Sequence, residues 1–221
     1  MKIIRKTLMW LAILFFGSTV LAVAIYSFVP VSVTPLMILR SIHPVGTPKQ
    51  QERERHWQHE WVSLDEMSQW MPRAVIASED GNFRTHHGFD TKEIKKAIEE
   101  NREGKRQRGA STISQQTAKN VFLWQGHSWI RKGLEAYFTV LIELMWSKDR
   151  IMEVYLNSIE MGAGIYGVQA AAQHYFGCNA SQLSKRQCAF IAVSLPSPLK
   201  RDPANPSRYM NKRVATISRW M

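Results

Sequence analysis

The longest stretch of the chain without a charged side chain lies near its start. Residues 8–29 contain no charge, and as a helix they would extend about 33 Å at ~1.5 Å per residue. The hydrocarbon core of a bilayer is ~30 Å thick, so this segment is long enough to span a membrane. We expect an uncleaved anchor, because the apolar run exceeds the ~7 to 15 residues usual in a signal peptide and Ala22-Val23-Ala24 is a weak cleavage site.

Basic residues on one side of the apolar span predict its orientation. Lys2, Arg5 and Lys6 precede the span, and positive charge is preferentially retained in the cytoplasm. We therefore expect residues 1–7 to be cytoplasmic, residues 8–29 to form a transmembrane helix, and the rest of the chain to lie on the other side of the membrane.

Residues 30–60 differ in pattern from the span before them and from the body after them. Residues 30–45 remain apolar, but prolines divide them into short pieces, which suits a collar at the membrane interface. Residues 47–60 are polar and predict a linker. The folded body is then expected to cover residues 61–221, a length that suits one domain.

Apolar residues in this body recur at helical spacing. A Ser63-to-Glu66 capping box predicts a helix that Pro72 interrupts, and Pro72 opens the next helix, which ends at Glu79-Asp80. Thr91 opens another helix, and a charged loop follows at 101–109. Five further helical segments are predicted, at 111–124, 128–146, 148–161, 165–176 and 181–195. Only residues 31–35 and 122–124 suggest strands, so the predicted fold class is mainly α.

Composition narrows the classes of function. The 221 residues carry 29 Lys+Arg against 18 Asp+Glu, a net charge of +11, and 45% are hydrophobic, which excludes a disordered chain. A basic domain beside a membrane suits anionic lipids or phosphorylated ligands better than nucleic acid. Cys178 and Cys188 could pair in an oxidising compartment, but we expect two free thiols.

An acidic pair is the first candidate for chemistry. Glu79 and Asp80 lie at the predicted C-terminus of a helix, where negative charge opposes the macrodipole and costs stability unless something compensates. Phe83 and His86 follow closely, and the absence of basic residues at this helix end favours a functional site. Solvated surface acids are the alternative explanation.

Positive charge concentrates between residues 102 and 132, where Glu103 is the only acid. A polar stripe lies within this region, formed by Ser111, Thr112, Gln115, Gln116, Lys119 and Asn120. Residues four apart share a helical face, so the stripe could form a cleft wall that binds sugar hydroxyls and phosphates. Arg131 and Glu135 are also four apart, and a surface ion pair is their simpler explanation. A carboxylate among cations stays ionised, which suits it to orient a cation or a metal.

These residues carry a family resemblance. Residues 79–88 (EDGNFRTHHG) resemble the EDxxFxxHxG motif of peptidoglycan glycosyltransferases, residues 109–120 resemble their GxSTxxQQxxKN motif, and residues 131–135 resemble their RKxxE motif. Three later blocks are also similar, at 148–162, 164–177 and 195–198. The single anchor and the absence of a penicillin-binding domain resemble the monofunctional branch of the family.

The resemblance implies a lysozyme-like α-helical glycosyltransferase domain that polymerises lipid II into β-1,4 glycan strands by inverting displacement of undecaprenyl pyrophosphate. It implies a bacterial inner-membrane location with the catalytic domain in the periplasm. The implied partners are lipid II, the undecaprenyl-pyrophosphate-linked glycan, the membrane and other cell-wall synthesis and division proteins, with no nucleic acid.

The resemblance also implies residue roles. Glu79 is the expected general base, and Glu135 is the second catalytic residue. Substrate contacts are implied for Asp80, Phe83, His86, Ser111, Thr112, Gln115, Gln116, Lys119, Asn120, Arg131, Lys132, Asn157 and Glu160. Mg²⁺ or Mn²⁺ bridging the pyrophosphate agrees with the preference of hard cations for oxygen ligands.

Two rival functions remain open. A lysozyme-like hydrolase or lytic enzyme would also place a glutamate at a helix end, but its acid needs an apolar setting and a raised pKa. The basic residues near the candidate cleft favour transfer over hydrolysis. A non-catalytic membrane-anchored scaffold for cell-wall assembly would be expected to have degraded motifs, and these motifs are intact.

Overall fold

A computed structural model of the chain describes residues 2–103, 109–126 and 128–221. Within them the helices are α1 (Lys2–Tyr26), α2 (Pro35–Ile42), α3 (Pro48–Arg55), α4 (Trp70–Glu79), α5 (Thr91–Arg102), α6 (Ile113–Phe122), α7 (Trp129–Met145), α8 (Lys148–Ser158), α9 (Val168–Phe176), α10 (Lys185–Ser194) and α11 (Arg208–Ile217). The prediction of a mainly helical fold is confirmed. Cys178 and Cys188 are free thiols, as expected.

Helix α1 is long and apolar enough to cross a membrane, and most of its large apolar side chains are exposed. It begins before the predicted span, at Lys2, and is joined to the body by hydrogen bonds. The Tyr137 hydroxyl lies 2.8 Å from the Thr19 hydroxyl, and the Trp146 indole N–H donates to the Val23 carbonyl at 2.8 Å. The anchor is therefore packed along α7.

The collar and the linker contain helices that the pattern did not predict. Both α2 and α3 begin with a threonine N-cap followed by proline at the first helical position, at Thr34-Pro35 and Thr47-Pro48. This is a favourable helix start, because proline lacks only an N–H that would be unpaired there. The strand suggested at 31–35 is therefore wrong, and so is the one at 122–124, where α6 ends.

The strands form elsewhere, as one small sheet. Its order is β1 (Gln58–His59), β3 (Ile165–Tyr166), β2 (Glu160–Gly162), with β1 parallel and β2 antiparallel to β3. Strands of two or three residues are too short to show the alternation that identifies a strand in a sequence.

Two helix boundaries also differ from expectation. The Ser63 capping box starts only a 3₁₀ turn, Leu64–Glu66, and Pro72 lies inside the first turn of α4 instead of opening a helix. The first turn tolerates proline because its N–H groups have no intrahelical partners. Helix α5 continues to Arg102, into the predicted charged loop; Lys105, Arg106 and Arg108 of that loop lie outside the described residues.

The packing of five helices positions the candidate site. Helix α4 packs against α10, and α6 packs against both α7 and α8. The core between them contains large, fully buried side chains, including Met71, Ile113, Ile142, Met152 and Tyr155. This arrangement brings the C-terminus of α4 to the N-terminus of α6.

Candidate active site

Glu79 is the last residue of α4, and its carboxylate has two side-chain donors. The Ser78 hydroxyl donates to Oε1 at 3.2 Å, and Gln116 Nε2 donates to Oε2 at 3.4 Å. Burial raises the pKa of Glu79, and these donors, together with the charges of Arg201 and Arg213, oppose the rise. A carboxylate in this setting accepts a proton more readily than an ordinary surface glutamate.

Asp80 has different contacts from Glu79 and connects the loop after α4 to the start of α6. His86 Nε2 lies 2.9 and 3.0 Å from its two oxygens, and the backbone N–H of Ile113 donates to Oδ2 at 3.0 Å. Ile113 is the first residue of α6, so this charge lies at the positive end of a helix dipole. That contact supplies the compensation which an acid at the end of α4 requires.

Thr112 and Gln115 build the start of α6. The Thr112 hydroxyl donates to the Gly88 carbonyl at 2.6 Å and accepts the Gln115 N–H, while Gln115 Oε1 accepts the Thr112 N–H at 3.0 Å. Gly88 has φ +86°, and a Cβ there would meet the Thr139 methyl at 2.8 Å, so glycine is required. These contacts position the motif; Thr112 also lines the smaller of two cavities at Glu79, and Ser111 and Gln116 line the larger one.

A cationic cluster lies where α6 meets α7 and is defined by Lys119 of α6 and by Arg131, Lys132 and Glu135 of α7. Glu135 is only 3% exposed; Arg131 Nη1 donates to its Oε2 at 3.1 Å, and Lys132 Nζ donates to its Oε1. Burial lowers the pKa of Lys119, and the Glu135 charge opposes this. Three basic groups share one carboxylate, so the cluster favours a bound anion.

Helix α6 connects the Glu79 carboxylate to the cationic cluster. Gln116 touches Glu79, and Lys119 belongs to the cluster. Residues three apart lie on the same helical face, separated by ~4.5 Å along the axis. The proton acceptor and the cationic cluster are therefore connected through one turn of α6, although the cluster residues are not among those that line the cavities at Glu79.

Two neighbouring cavities open at Glu79, with volumes of about 700 and 370 Å³. Both are lined by Ser78, Glu79, Gly109, Ser111 and Arg213. The larger one is also lined by Gln116, Arg201 and Tyr209, and it has the size of a small-molecule site. The motifs did not identify Arg201, Tyr209 or Arg213, because these residues follow the last motif block, at 195–198. The only signal in the sequence was the type of these side chains, which can bind anions.

Three predicted contact residues are buried away from the cleft surface. Phe83 is 0% exposed, with Lys148 Nζ 4.7 Å from its ring centroid. Asn157 pairs with the backbone of Val62, accepting at 3.0 Å and donating at 2.8 Å. Asn120 is also buried. Their burial favours packing and positioning roles over direct contact with a ligand.

Glu160 lies in a separate buried polar cluster. Arg40 Nη2 is 3.6 Å from Glu160 Oε2, and Arg40 Nε is 4.0 Å from Glu54 Oε1. Burial, with the nearby Glu54 charge, raises the pKa of Glu160 to about 7, and Arg40 opposes the rise. Glu160 is not among the residues that line the two cavities at Glu79.

Glu160→Gln should weaken the pH dependence of stability. The folded chain holds the Glu160 proton more tightly than the unfolded chain, so the contribution of Glu160 to stability is fully present below its ordinary pKa of 4.5 and is lost as pH rises to about 7, by at most roughly 3 kcal/mol. The variant should lose less stability than wild type between pH 5 and pH 8 in denaturant titrations in detergent. Glu52→Gln, on the exposed surface of α3, is the control; equal slopes in all three proteins would contradict the interpretation.

The donor set does not match a metal site built by the protein alone. The described residues contain no group of three or more His, Cys, Asp or Glu side chains placed to hold an ion. Both Glu135 oxygens are already paired with cations. A divalent cation at this position would need its ligands from a substrate.

Comparisons with known proteins agree with the motifs. The family model described as Transglycosylase matches residues 46–221. A biosynthetic peptidoglycan transglycosylase of Bacteroides thetaiotaomicron is 58% identical over 211 residues, covering 96% of this chain and 84% of the relative. Proteins with the same name from Caulobacter vibrioides and Bdellovibrio bacteriovorus are 49% and 48% identical, covering 99% and 97% of this chain and 91% and 84% of their own lengths. The chain therefore belongs to the transglycosylase family.

Proposed function

We propose that this protein is a peptidoglycan glycosyltransferase that polymerises lipid II into β-1,4 glycan strands during cell-wall synthesis. The family and the printed names of the relatives support this activity. The observation that carries the mechanism is the placement of Glu79 in a cleft of about 700 Å³, where it accepts a hydrogen bond from Gln116, three residues before Lys119 of the cationic cluster on α6.

In the proposed reaction, the 4-hydroxyl of the GlcNAc of lipid II attacks the anomeric carbon of the growing strand. A new C–O bond forms, the bond to the undecaprenyl pyrophosphate breaks, and the α linkage becomes β. Glu79 accepts the proton of the attacking hydroxyl, a role that its raised pKa suits because general bases work best when their pKa is near the working pH.

The departing pyrophosphate needs positive charge more than it needs a proton. Lys119, Arg131 and Lys132 supply that charge, and Glu135 holds Arg131 and Lys132 in place through its two oxygens. Mg²⁺ or Mn²⁺, if used, would bind pyrophosphate oxygens of the substrate. Ser111 and Gln116 contact the sugars, whereas Asp80, His86, Thr112 and Gln115 position the motif.

A lysozyme-like hydrolase is the second candidate, because burial of Glu79 also suits a general acid. Basic side chains pair directly with Glu135, whereas at Glu79 burial is the largest influence on the pKa and raises it. The cationic cluster favours transfer from a pyrophosphate donor. Incubating the purified protein with lipid II tests this: long glycan supports the proposal, and cleaved fragments alone would support the hydrolase.

We also propose that residues 1–7 lie in the cytoplasm, residues 8–29 span the bacterial inner membrane, the collar and linker cover residues 30–60, and the catalytic domain, residues 61–221, lies in the periplasm. The apolar helix and the three basic residues before it support this orientation. Partners among other cell-wall synthesis and division proteins stay a prediction.

The topology predicts the behaviour of reporter fusions. A phosphatase that folds only in the periplasm should be active when fused after Met221, and a fluorescent protein that folds only in the cytoplasm should be dark there. The same fluorescent protein placed before residue 1 should be bright and is the control. The reverse pattern would overturn the orientation.

A further inference from the structure

Tyr155 of α8 is buried, and its hydroxyl group lies next to Gln116, a residue of the cleft. Its side chain is 0% exposed, and its hydroxyl lies 3.2 Å from Gln116 Oε1. The other end of the same amide, Nε2, donates to Glu79 Oε2 at 3.4 Å. Three helices, α8, α6 and α4, therefore contribute one residue each to a chain of hydrogen bonds that ends at Glu79.

The hydrogen bonds from Tyr155 through Gln116 to Glu79 all donate in the same direction. An amide presents an acceptor at one end and donors at the other, and a phenol O–H that donates to Oε1 leaves Nε2 to face Glu79. Burial holds the pKa of Tyr155 well above its ordinary value, so the phenol keeps its proton and remains a donor. Without this hydroxyl the amide could turn its oxygen toward Glu79, and that oxygen would repel a carboxylate.

We propose that Tyr155 is a positioning residue of the glycosyl transfer, which fixes the Gln116 amide with its NH₂ group toward Glu79 and thereby sets the orientation and proton affinity of that carboxylate. This inference rests on the proposed role of Glu79 as the base. It assigns a function to a core tyrosine that makes no contact with the substrate.

Tyr155→Phe keeps the packing of the ring and removes the hydroxyl. Losing the donated hydrogen bond destabilises the ionised form of Glu79, so the acid limb of the kcat/KM profile should move to higher pH. Turnover near pH 7 should fall roughly 3- to 10-fold, the equivalent of one hydrogen bond, with little change in KM. Other charged groups around Glu79 are unchanged by the substitution; they are Asp80, Asp90, Glu93, Glu100, Arg201 and Arg213.

The matched control is Tyr175→Phe. This tyrosine on α9 is also largely buried, and its hydroxyl donates to the Met161 carbonyl at 3.0 Å. Both variants lose one hydrogen bond of the interior, so both should lose similar stability, but only Tyr155→Phe should move the acid limb. A shift of the same size in both variants would indicate a general loss of stability and would overturn the proposal.

Gln116→Leu shows whether Tyr155 acts through the amide. Gln116→Leu alone should move the acid limb in the same direction, and adding Tyr155→Phe to it should cause no further shift. An additive second shift would overturn the proposal, as would a Gln116→Leu profile identical to wild type, even if Tyr155→Phe fails to fold. Glu79→Gln separates the role of Tyr155 from the role of Glu79 as the base. If Glu79→Gln retains normal turnover, the assignment of Glu79 as the base fails. If Glu79→Gln loses turnover but the Tyr155 and Gln116 variants show no pH shift, only the role of Tyr155 fails.

Discussion

Glu79→Gln should nearly abolish polymerisation while the protein still folds and binds lipid II. Glutamine preserves the shape of the side chain and one of the two hydrogen bonds that Ser78 and Gln116 donate, but it cannot take the proton of the attacking hydroxyl. General-base assistance contributes about 10² to 10⁴ in rate, so the loss should lie in turnover and not in binding. Turnover of labelled lipid II, its binding affinity and thermal unfolding would be measured together.

Glu99→Gln is the matched control for this substitution. Glu99 lies on the exposed side of α5 and does not line either cavity at Glu79. It should leave polymerisation unchanged. Near-normal polymer from Glu79→Gln would remove Glu79 as the base.

Arg131→Ala should have the second largest effect. It removes charge from the proposed pyrophosphate site and leaves Lys132 as the basic neighbour hydrogen-bonded to Glu135. Losing one preorganised contact of this kind typically costs about 2.7–4 kcal/mol, or roughly 10²–10³ in rate. Glu135→Asp, which keeps the carboxylate, should cost less. Turnover at saturating lipid II is the measurement.

Arg208→Ala controls for the loss of a positive charge at an exposed position, the first residue of α11. It should leave turnover close to wild type. If Arg131→Ala turns over as fast as Arg208→Ala, the cationic cluster does not stabilise the leaving group.

Long, periodic helices and their caps were predictable from sequence. The end of α4 at Glu79 follows from a stop signal that depends only on local chemistry, and α6 lies within the helical segment predicted at 111–124. Helix α2 in the collar and helix α3 in the linker were missed. The proline-rich composition of the collar and the polar composition of the linker hid their threonine caps. The sheet was missed because its strands are two or three residues long and because β1 pairs with β3 across more than 100 positions of sequence.

The residues of the candidate site could be predicted from sequence, but the separate role of each residue could not. Sequence placed Glu79 beside Asp80, and the structure gives them different contacts: both line the smaller cavity, but only Glu79 also lines the larger one, and Asp80 caps α6. Spacing alone also could not show that Gln116 joins Glu79 to a buried tyrosine, or that Arg213 lies in the same cleft. These relations depend on how distant helices pack.

The most direct test of Glu79 as the base of a polymerase uses the direction of the reaction. Wild-type protein would receive labelled lipid II in one reaction and preformed glycan strands without lipid II in another, each matched by Glu79→Gln. The account predicts long labelled polymer only from wild type with lipid II, and strands of unchanged length in both proteins without it. Steady shortening of the free strands by wild type but not by Glu79→Gln would contradict it and would identify a lysozyme-like hydrolase.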